Sequence, residues 1–391
     1  MGAAFLAHFA DFIDAGSLVP EIAPGIIEKL LSIMSAAMLP IATFAVASMI
    51  SAYNSASSSA TPRVFPLIVA DDVSKTALSS FVAAFIFSVV ALIAVKSSYY
   101  GQTGYFVLFV MTLGMFAWII AVFVRWVDSI ARLGRMETTI VKIESATRDA
   151  LVIRRRLPNL GGVPMGDSAA SGNAVYGTDI GYIQHINMRA LQDEAEVSGC
   201  RIALVSLPGT FAAPGRPLAY IRPEEGGVPD MSRITDSFLI GNARAFEEDP
   251  RFGIIAMSEI AARALSLGIN DPGTAISIIG SFVRLLASWA KPLEDDEACE
   301  PEFDRVEVPG LSVMELFDDA FIAIARDGAG MVEVGVRLQK AFLSLVSIDD
   351  AQMKGAARHH AGQALARAER AMTHSTDIER IRALEERVRG A

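Results

Sequence analysis

Charged and amide side chains crowd one stretch of this chain. Arg244, Glu247, Glu248, Asp249, Arg251 and Arg263 lie within twenty residues, and Asn270, Asp271 and Thr274 follow closely. Carboxylates and an amide brought together could hold a cation or a polar ligand, and the same groups could form ion pairs that fix a domain. Arg244, Asp249, Arg263, Asn270, Asp271 and Thr274 are therefore candidates for a ligand-binding or structural cluster. Arg154, Arg155 and Arg156 form a second basic group, suited either to phosphates or anionic lipid or to a solvated turn. A third group is uncharged. Ser51, Asn54, Ser55 and Ser58 fall at i, i+3, i+4 and i+7 in a hydroxyl-rich run that ends at Pro62. On a helix they share one face, which could line a watery passage or form a close helix–helix seam.

Other chemistries have little support. No Gly-x-Ser-x-Gly, His-Glu-x-x-His or phosphate-loop pattern is present. No lysine occurs between Lys142 and Lys291, which removes a phosphate-loop or Schiff-base lysine from the middle of the chain. Residues 208–219, Pro-Gly-Thr-Phe-Ala-Ala-Pro-Gly-Arg-Pro-Leu-Ala, are similar to the hairpins of biotin- and lipoate-carrying barrel-sandwich domains, but the carrier lysine is missing. His359 and His360 are adjacent and point to different faces of a helix, a poor metal pair. Two cysteines, Cys200 and Cys299, exclude a disulfide scaffold and a four-cysteine zinc site. We expect no catalytic residues, no cofactor and no metal. The net charge of −10 gives no footprint for nucleic acid.

The elements that must position these groups begin with lipid. The 391 residues are 52% hydrophobic and only 20% charged, with a mean hydropathy of +0.39. The excess is concentrated: residues 30–62, 76–95 and 97–124 contain no Asp, Glu, Lys or Arg. A helix needs roughly 20 apolar residues to cross a bilayer. Spans are expected at about 28–52, 76–95 and 105–124, inside a transmembrane domain of residues 1–127. The tyrosines near residue 100, with Trp118 and Trp126, suit the headgroup zones.

Acids (Asp11, Asp14, Glu21, Glu28) dominate before the first span, and Arg125, Arg132 and Arg135 follow the last. The positive-inside rule then puts the amino end outside and the large carboxyl-terminal part in the cytoplasm. The first residues lack the basic start of a cleavable signal peptide.

After the spans, a helical connector (128–160) and a flexible loop (160–177) lead to a small β-rich subdomain (178–225) and a helical subdomain (232–391). Around the charged cluster the punctuation is clear. Gly268 ends one helix, Asn270 or Asp271 caps the next, and Pro272 takes its first position. The fold class is thus an α-helical transmembrane domain of about three spans, then a cytoplasmic α+β domain and a helical tail.

The pattern Arg244…Asp249-Pro-Arg-Phe-Gly253…Ala264-Leu-Ser-Leu-Gly-Ile-Asn-Asp-Pro-Gly-Thr-Ala275 resembles a family of bacterial membrane proteins carried as the domain of unknown function numbered twenty-two fifty-four. Gly181-Tyr-Ile-Gln184 and the later Pro-Gly-x-Phe turn match its layout. Leu267 stands where the family has proline, and Gly273 where a bulkier residue is usual. The family is normally read with four spans; a fourth would move the amino end inside and leave the carboxyl-terminal part cytoplasmic. The resemblance implies a multi-pass protein of the bacterial inner (plasma) membrane and no particular activity. Its partners would be the bilayer, further copies in a homo-oligomer, and a small ligand of unknown kind. An oligomeric channel- or transporter-like assembly with a regulatory domain is one function that fits. A membrane-tethered sensor or scaffold is the other.

Overall fold

The computed structural model describes residues 22–59, 61–64, 66–67, 72–133, 135–166, 171–224, 227–291 and 300–391, without the side chains of 56–59 and 133. Asp11, Asp14, Glu21 and Cys299 lie outside the described residues. The chain divides into two compact units, residues 1–139 and 140–391.

Among the described residues, the first unit has three long helices: α1 (Pro24–Ser59), α2 (Asp72–Lys96) and α3 (Gln102–Leu133). All three are long and apolar enough to cross a membrane. Each buries a stripe at three- and four-residue spacing. On α2 it is Ala77, Phe81, Ala84, Ser88, Ala91 and Val95, and on α1 it includes Ile27, Leu31, Met34, Met38, Ala42 and Ala45. Alanine and serine let the helices approach closely, and Ser88 and Thr112 return their hydroxyls to their own helices at 2.7 Å (Ala84 O, Leu108 O). Ile33, Phe44, Ile50, Ile86, Ile93, Ile120 and Val124 point outward and stay exposed. An apolar surface that large is a liability in water and ordinary in lipid.

The expected continuous connector is instead two helices. The third span runs on to Leu133, and α4 (Met136–Arg156) starts afresh.

The second unit is richer in strands than its sequence suggests. A five-stranded sheet has the order β1-β8-β4-β6-β2, and a three-stranded antiparallel sheet the order β5-β3-β7. The strands are β1 (Gly162–Pro164), β2 (Asn173–Tyr176), β3 (Gly181–Ile186), β4 (Cys200–Leu204), β5 (Phe211–Ala212), β6 (Pro217–Pro223), β7 (Phe238–Gly241) and β8 (Phe303–Val308). β1 and β2 fall in the stretch read as a flexible loop. β8 comes from far down the chain and pairs in parallel with β4, Ile202 opposite Val306. The β-rich part is therefore not confined to 178–225. Both sheets and helix α5 (Met188–Val197) share one core that includes Ile183, Leu191, Ile202, Ile221 and Val306. The ion pair Arg201–Glu224 ties β4 to the end of β6, and Arg305–Glu224 and Arg222–Glu307 reach across β4 between β8 and β6.

After the short α6 (Met231–Asp236), the helical part follows: α7 (Pro250–Ala264), α8 (Pro272–Trp289), α9 (Val313–Asp327), α10 (Val332–Val346), α11 (Ala351–Ala371) and α12 (Ser375–Gly390). Helix α4 lies against it. Glu144 accepts two bonds from Arg284 at 2.8 and 2.6 Å, and Arg155 donates to Ser288 O at 2.7 Å. Gly253 of α7 leaves room for α4, because a Cβ there would sit 1.8 Å from Thr147 Oγ1.

His360 is 3% exposed and packs among Phe317, Phe321 and Phe342. Its Nε2 lies 3.2 Å from Asp318 Oδ1 without hydrogen-bond alignment. Burial holds the imidazole down to about 4, helped by His359 and Arg367 and opposed by Asp318. An unfolded histidine titrates near 6.5. Its folded value is depressed, so the unfolded chain binds the proton first. Stability should then be complete above about pH 6.5 and fall by about 2 kcal/mol by pH 5 on this account. Thermal unfolding of the detergent-solubilised protein checks this: His360→Phe should flatten the profile between pH 6.5 and 5, and an unchanged profile would place the acid sensitivity elsewhere.

Candidate functional site

Two Asp-Pro pairs start two successive helices, and they behave alike only in part. Asp249 caps α7, accepting from Phe252 N–H at 3.2 Å, with Pro250 at the first helical position. Asp271 caps α8 in the same way, accepting from Thr274 N–H at 3.1 Å and from its hydroxyl at 2.6 Å. Those Thr274 bonds hold the exposed Asp271 carboxyl below its usual range. Asn270 takes a left-handed φ of 52°, and the amides of Asn270 and Asp271 return to Ser266 O and Ala264 O at 2.8 Å. That exposed loop is a helix stop joined to a helix start.

Asp249 is different: it is 3% exposed. Its two oxygens receive Arg244 Nε at 2.6 Å and Nη2 at 2.9 Å, a forked pair. The Arg244 guanidinium also lies 5.5 Å from the Phe252 ring centre, and Phe252 packs on Phe246. Burial pushes the Asp249 carboxyl up from its ordinary value, with Arg244 opposing. Two residues on, Arg251 reaches α9, giving Nε to Asp319 at 2.6 Å and also pairing with Glu315.

The six candidates of the charged cluster are thus not one site. Arg244 and Asp249 stand at the start of α7. Arg263, Asn270, Asp271 and Thr274 stand at its far end, about 20 Å away for a 15-residue helix.

The Arg244–Asp249 pair forms part of the wall of a cleft of about 480 Å³. The Pro208–Thr210 turn, the loop 309–312, Arg251 and Arg154 complete much of that wall. Gly209 has φ +93°, and a Cβ on it would lie 2.2 Å from Asp249 Oδ2. Only glycine allows this turn to close on the ion pair. Reading the sequence singled out Arg154 only within a basic run and Gly209 only within a turn, without joining either to Arg244 and Asp249, and it missed Ser312. A signal for Arg154 existed: it lies three residues beyond Leu151 on the helical period, and the structure buries both. Arg154 is therefore not part of a solvated basic turn.

Ser51, Asn54 and Ser55 are exposed on α1, away from the stripe that packs on α2 and α3. The side chain of Ser58 lies outside the described residues.

Three apolar helices among the described residues, followed by an α+β unit with a charged cleft, are the build of a membrane protein. The chain belongs to the family described as predicted membrane protein (DUF2254), whose model matches residues 1–344. It is also similar to uncharacterized proteins of Mycobacterium bovis and Mycobacterium tuberculosis, 32% identical over 120 residues. Those 120 residues are 29% of this chain and 23% of each relative. No solved structure matches the chain.

Proposed function

We propose that this protein is a membrane-tethered sensor whose second unit, on the cytoplasmic side of the bacterial plasma membrane, binds a small ligand in the Arg244–Asp249 cleft. The observation that carries the reading is the cleft itself. Its volume falls in the range of small-molecule sites, roughly 300–1,000 Å³, and its wall is made by the residues of the family pattern: Arg244, Asp249, Pro250 and the Pro-Gly-x-Phe turn. The cytoplasmic side is supported by the arginines that follow the last span, Arg125, Arg132 and Arg135.

A thermal-shift screen of the full-length protein in detergent, against metabolites and metals, tests this. A ligand at 100 times its Kd adds about 2.7 kcal/mol, which for a unit of this size raises the midpoint by roughly 5–10 °C. Gly310→Phe is the matching control. A Cβ at Gly310 meets nothing within 4 Å, so the ring can fill the cleft without a clash at its root. The variant should unfold near the wild-type temperature and lose the ligand response. A hit that survives in Gly310→Phe binds elsewhere and ends this reading.

A second reading is an oligomeric channel- or transporter-like assembly that the second unit regulates. Its support is the exposure of Ser51 and Asn54 on α1. Polar groups facing lipid gain from a partner, and a neighbouring copy would supply one. Liposome flux that changes in Ser51→Leu/Asn54→Leu would favour it, and absence of flux from an oligomer would remove it.

A further inference from the structure

Arg154 is 3% exposed, and its Nη1 has no hydrogen-bond partner among the described residues. The acids nearby have other partners: Glu248 pairs with His185. Arg244 takes both oxygens of Asp249, and Oδ1 also accepts from Phe252 N–H. Arg251 takes both oxygens of Asp319 and one of Glu315. Arg154 feels Asp249 and Glu248 through space, and burial outweighs them, pulling its guanidinium below the usual range. A guanidinium always carries its charge. Burying one without an acceptor is costly, and an anion beside it removes the cost.

The wall includes two carboxylates, Asp249 and Glu315, each paired with an arginine, Arg244 and Arg251, and other parts of it suit an anion. The amino-terminal ends of two 15-residue helices, α7 (Pro250, Arg251) and α9 (Ser312), line the same cleft. Helix starts carry the positive end of the dipole; at α7 Pro250 has no N–H and Asp249 takes that of Phe252, which leaves the amide of Arg251 to face an anion. Thr210 and Ser312 accept backbone N–H bonds at 3.1 and 3.3 Å from Leu207 and Glu315. Those bonds use their oxygens as acceptors, and each hydroxyl keeps its hydrogen to donate. The cleft has room for a phosphate group and for part of the molecule that carries it.

We propose that the cleft is a phosphate-group site, in which the Arg154 guanidinium and the amino-terminal ends of α7 and α9 hold the anion of a phosphorylated small molecule or of a lipid headgroup. The proposal rests on the reading of the cleft as a ligand site and names its chemistry.

The test uses full-length protein in detergent, with inorganic phosphate as probe and chloride at matched ionic strength as control. Phosphate should raise the unfolding midpoint saturably, chloride should not, and sulfate should compete. Arg154→Met should unfold at or above the wild-type midpoint without phosphate, because a lone buried charge is gone. Its half-saturation should be roughly 10- to 100-fold weaker, the size expected for a lost charged hydrogen bond. Arg154→Lys keeps the charge without the fork and should fall between; it carries the test if the methionine variant does not fold. Nanodiscs of phosphatidylcholine with and without phosphatidylglycerol then separate the sources. If the headgroup is the source, phosphatidylglycerol raises the wild-type midpoint and blocks added phosphate, and does neither in Arg154→Met. If the source is soluble, phosphatidylglycerol has no effect and phosphate still binds. Equal midpoints in phosphate and chloride, or a phosphate response undiminished in both Arg154 variants, overturn the proposal. If phosphate fails while another ligand, blocked by Gly310→Phe, still stabilises the protein, the phosphate assignment alone falls. If nothing binds, the cleft reading falls with it.

Discussion

Replacing Arg244 by methionine should lower the free energy of unfolding by about 3–5 kcal/mol, the usual cost of breaking a buried ion pair from one side. Arg244 is the forked partner of a carboxylate that is 3% exposed. Once it is removed, Asp249 keeps only Phe252 N–H as a donor from the present set. Burial already pushes that carboxyl up, and without Arg244 it rises further. A carboxyl whose folded value is raised favours the folded state at low pH and penalises it as pH rises. The deficit of Arg244→Met should therefore shrink toward acid, where Asp249 is neutral. Adding Asp249→Asn should recover most of the loss at neutral pH, because asparagine caps a helix about as well as aspartate and carries no charge. Unfolding curves of the two variants in detergent, at neutral and acid pH, check both statements. A double variant no more stable than the single one would show that the cost comes from lost packing on Phe252 rather than from the stranded charge. The same replacement at Arg154 should have the opposite sign, and the contrast follows from one difference. Arg244 has its acid in place, and Arg154 has no ion-pair partner among the described residues.

How much of this could be read beforehand depends on the range of the interaction. The three apolar helices were legible because solvent alone dictates them: a charge-free run of spanning length has few other places to go. The start of α8 was legible because capping is local, settled within four residues by Asp271-Pro272. The sheet was not. β8 (Phe-Asp-Arg-Val-Glu-Val) has three charged residues in six and no apolar run, and it becomes a central strand only because β4 offers it a parallel edge and Glu307 meets Arg222. Such partners are roughly a hundred residues away along the chain. The site failed for the same reason. Asp249 and Asp271 carry the same local signature, and only the fold decides that one is buried beneath Arg244 while the other faces solvent with Thr274. The run of three arginines concealed that α4 turns Arg154 inward, whereas Arg155 finds carbonyls on α8 and beyond.

Gly209→Ala should cost about 3 kcal/mol or more, and Gly215→Ala, on the same segment, only about 1–2 kcal/mol. Both glycines have positive φ, +93° and +79°, so each alanine carries the left-handed strain of about 1–2 kcal/mol. Their surroundings differ. At Gly215 a Cβ meets nothing within 4 Å, whereas at Gly209 it would sit 2.2 Å from Asp249 Oδ2 and 2.8 Å from Arg244 Nη2. The turn cannot simply retreat, because Gly209 N–H donates to Ile183 O at 2.8 Å and holds it to strand β3. The strain therefore falls on the ion pair, which must open or shift inside a buried site, and the α7 cap shifts with it. The difference between the two alanine variants removes the shared backbone term and measures what the close approach is worth. Midpoints of thermal unfolding for the two proteins, taken side by side, give that difference. Equal losses would mean that Arg244 and Asp249 can move aside at no cost, and the cleft would then have no rigid wall with which to select a ligand.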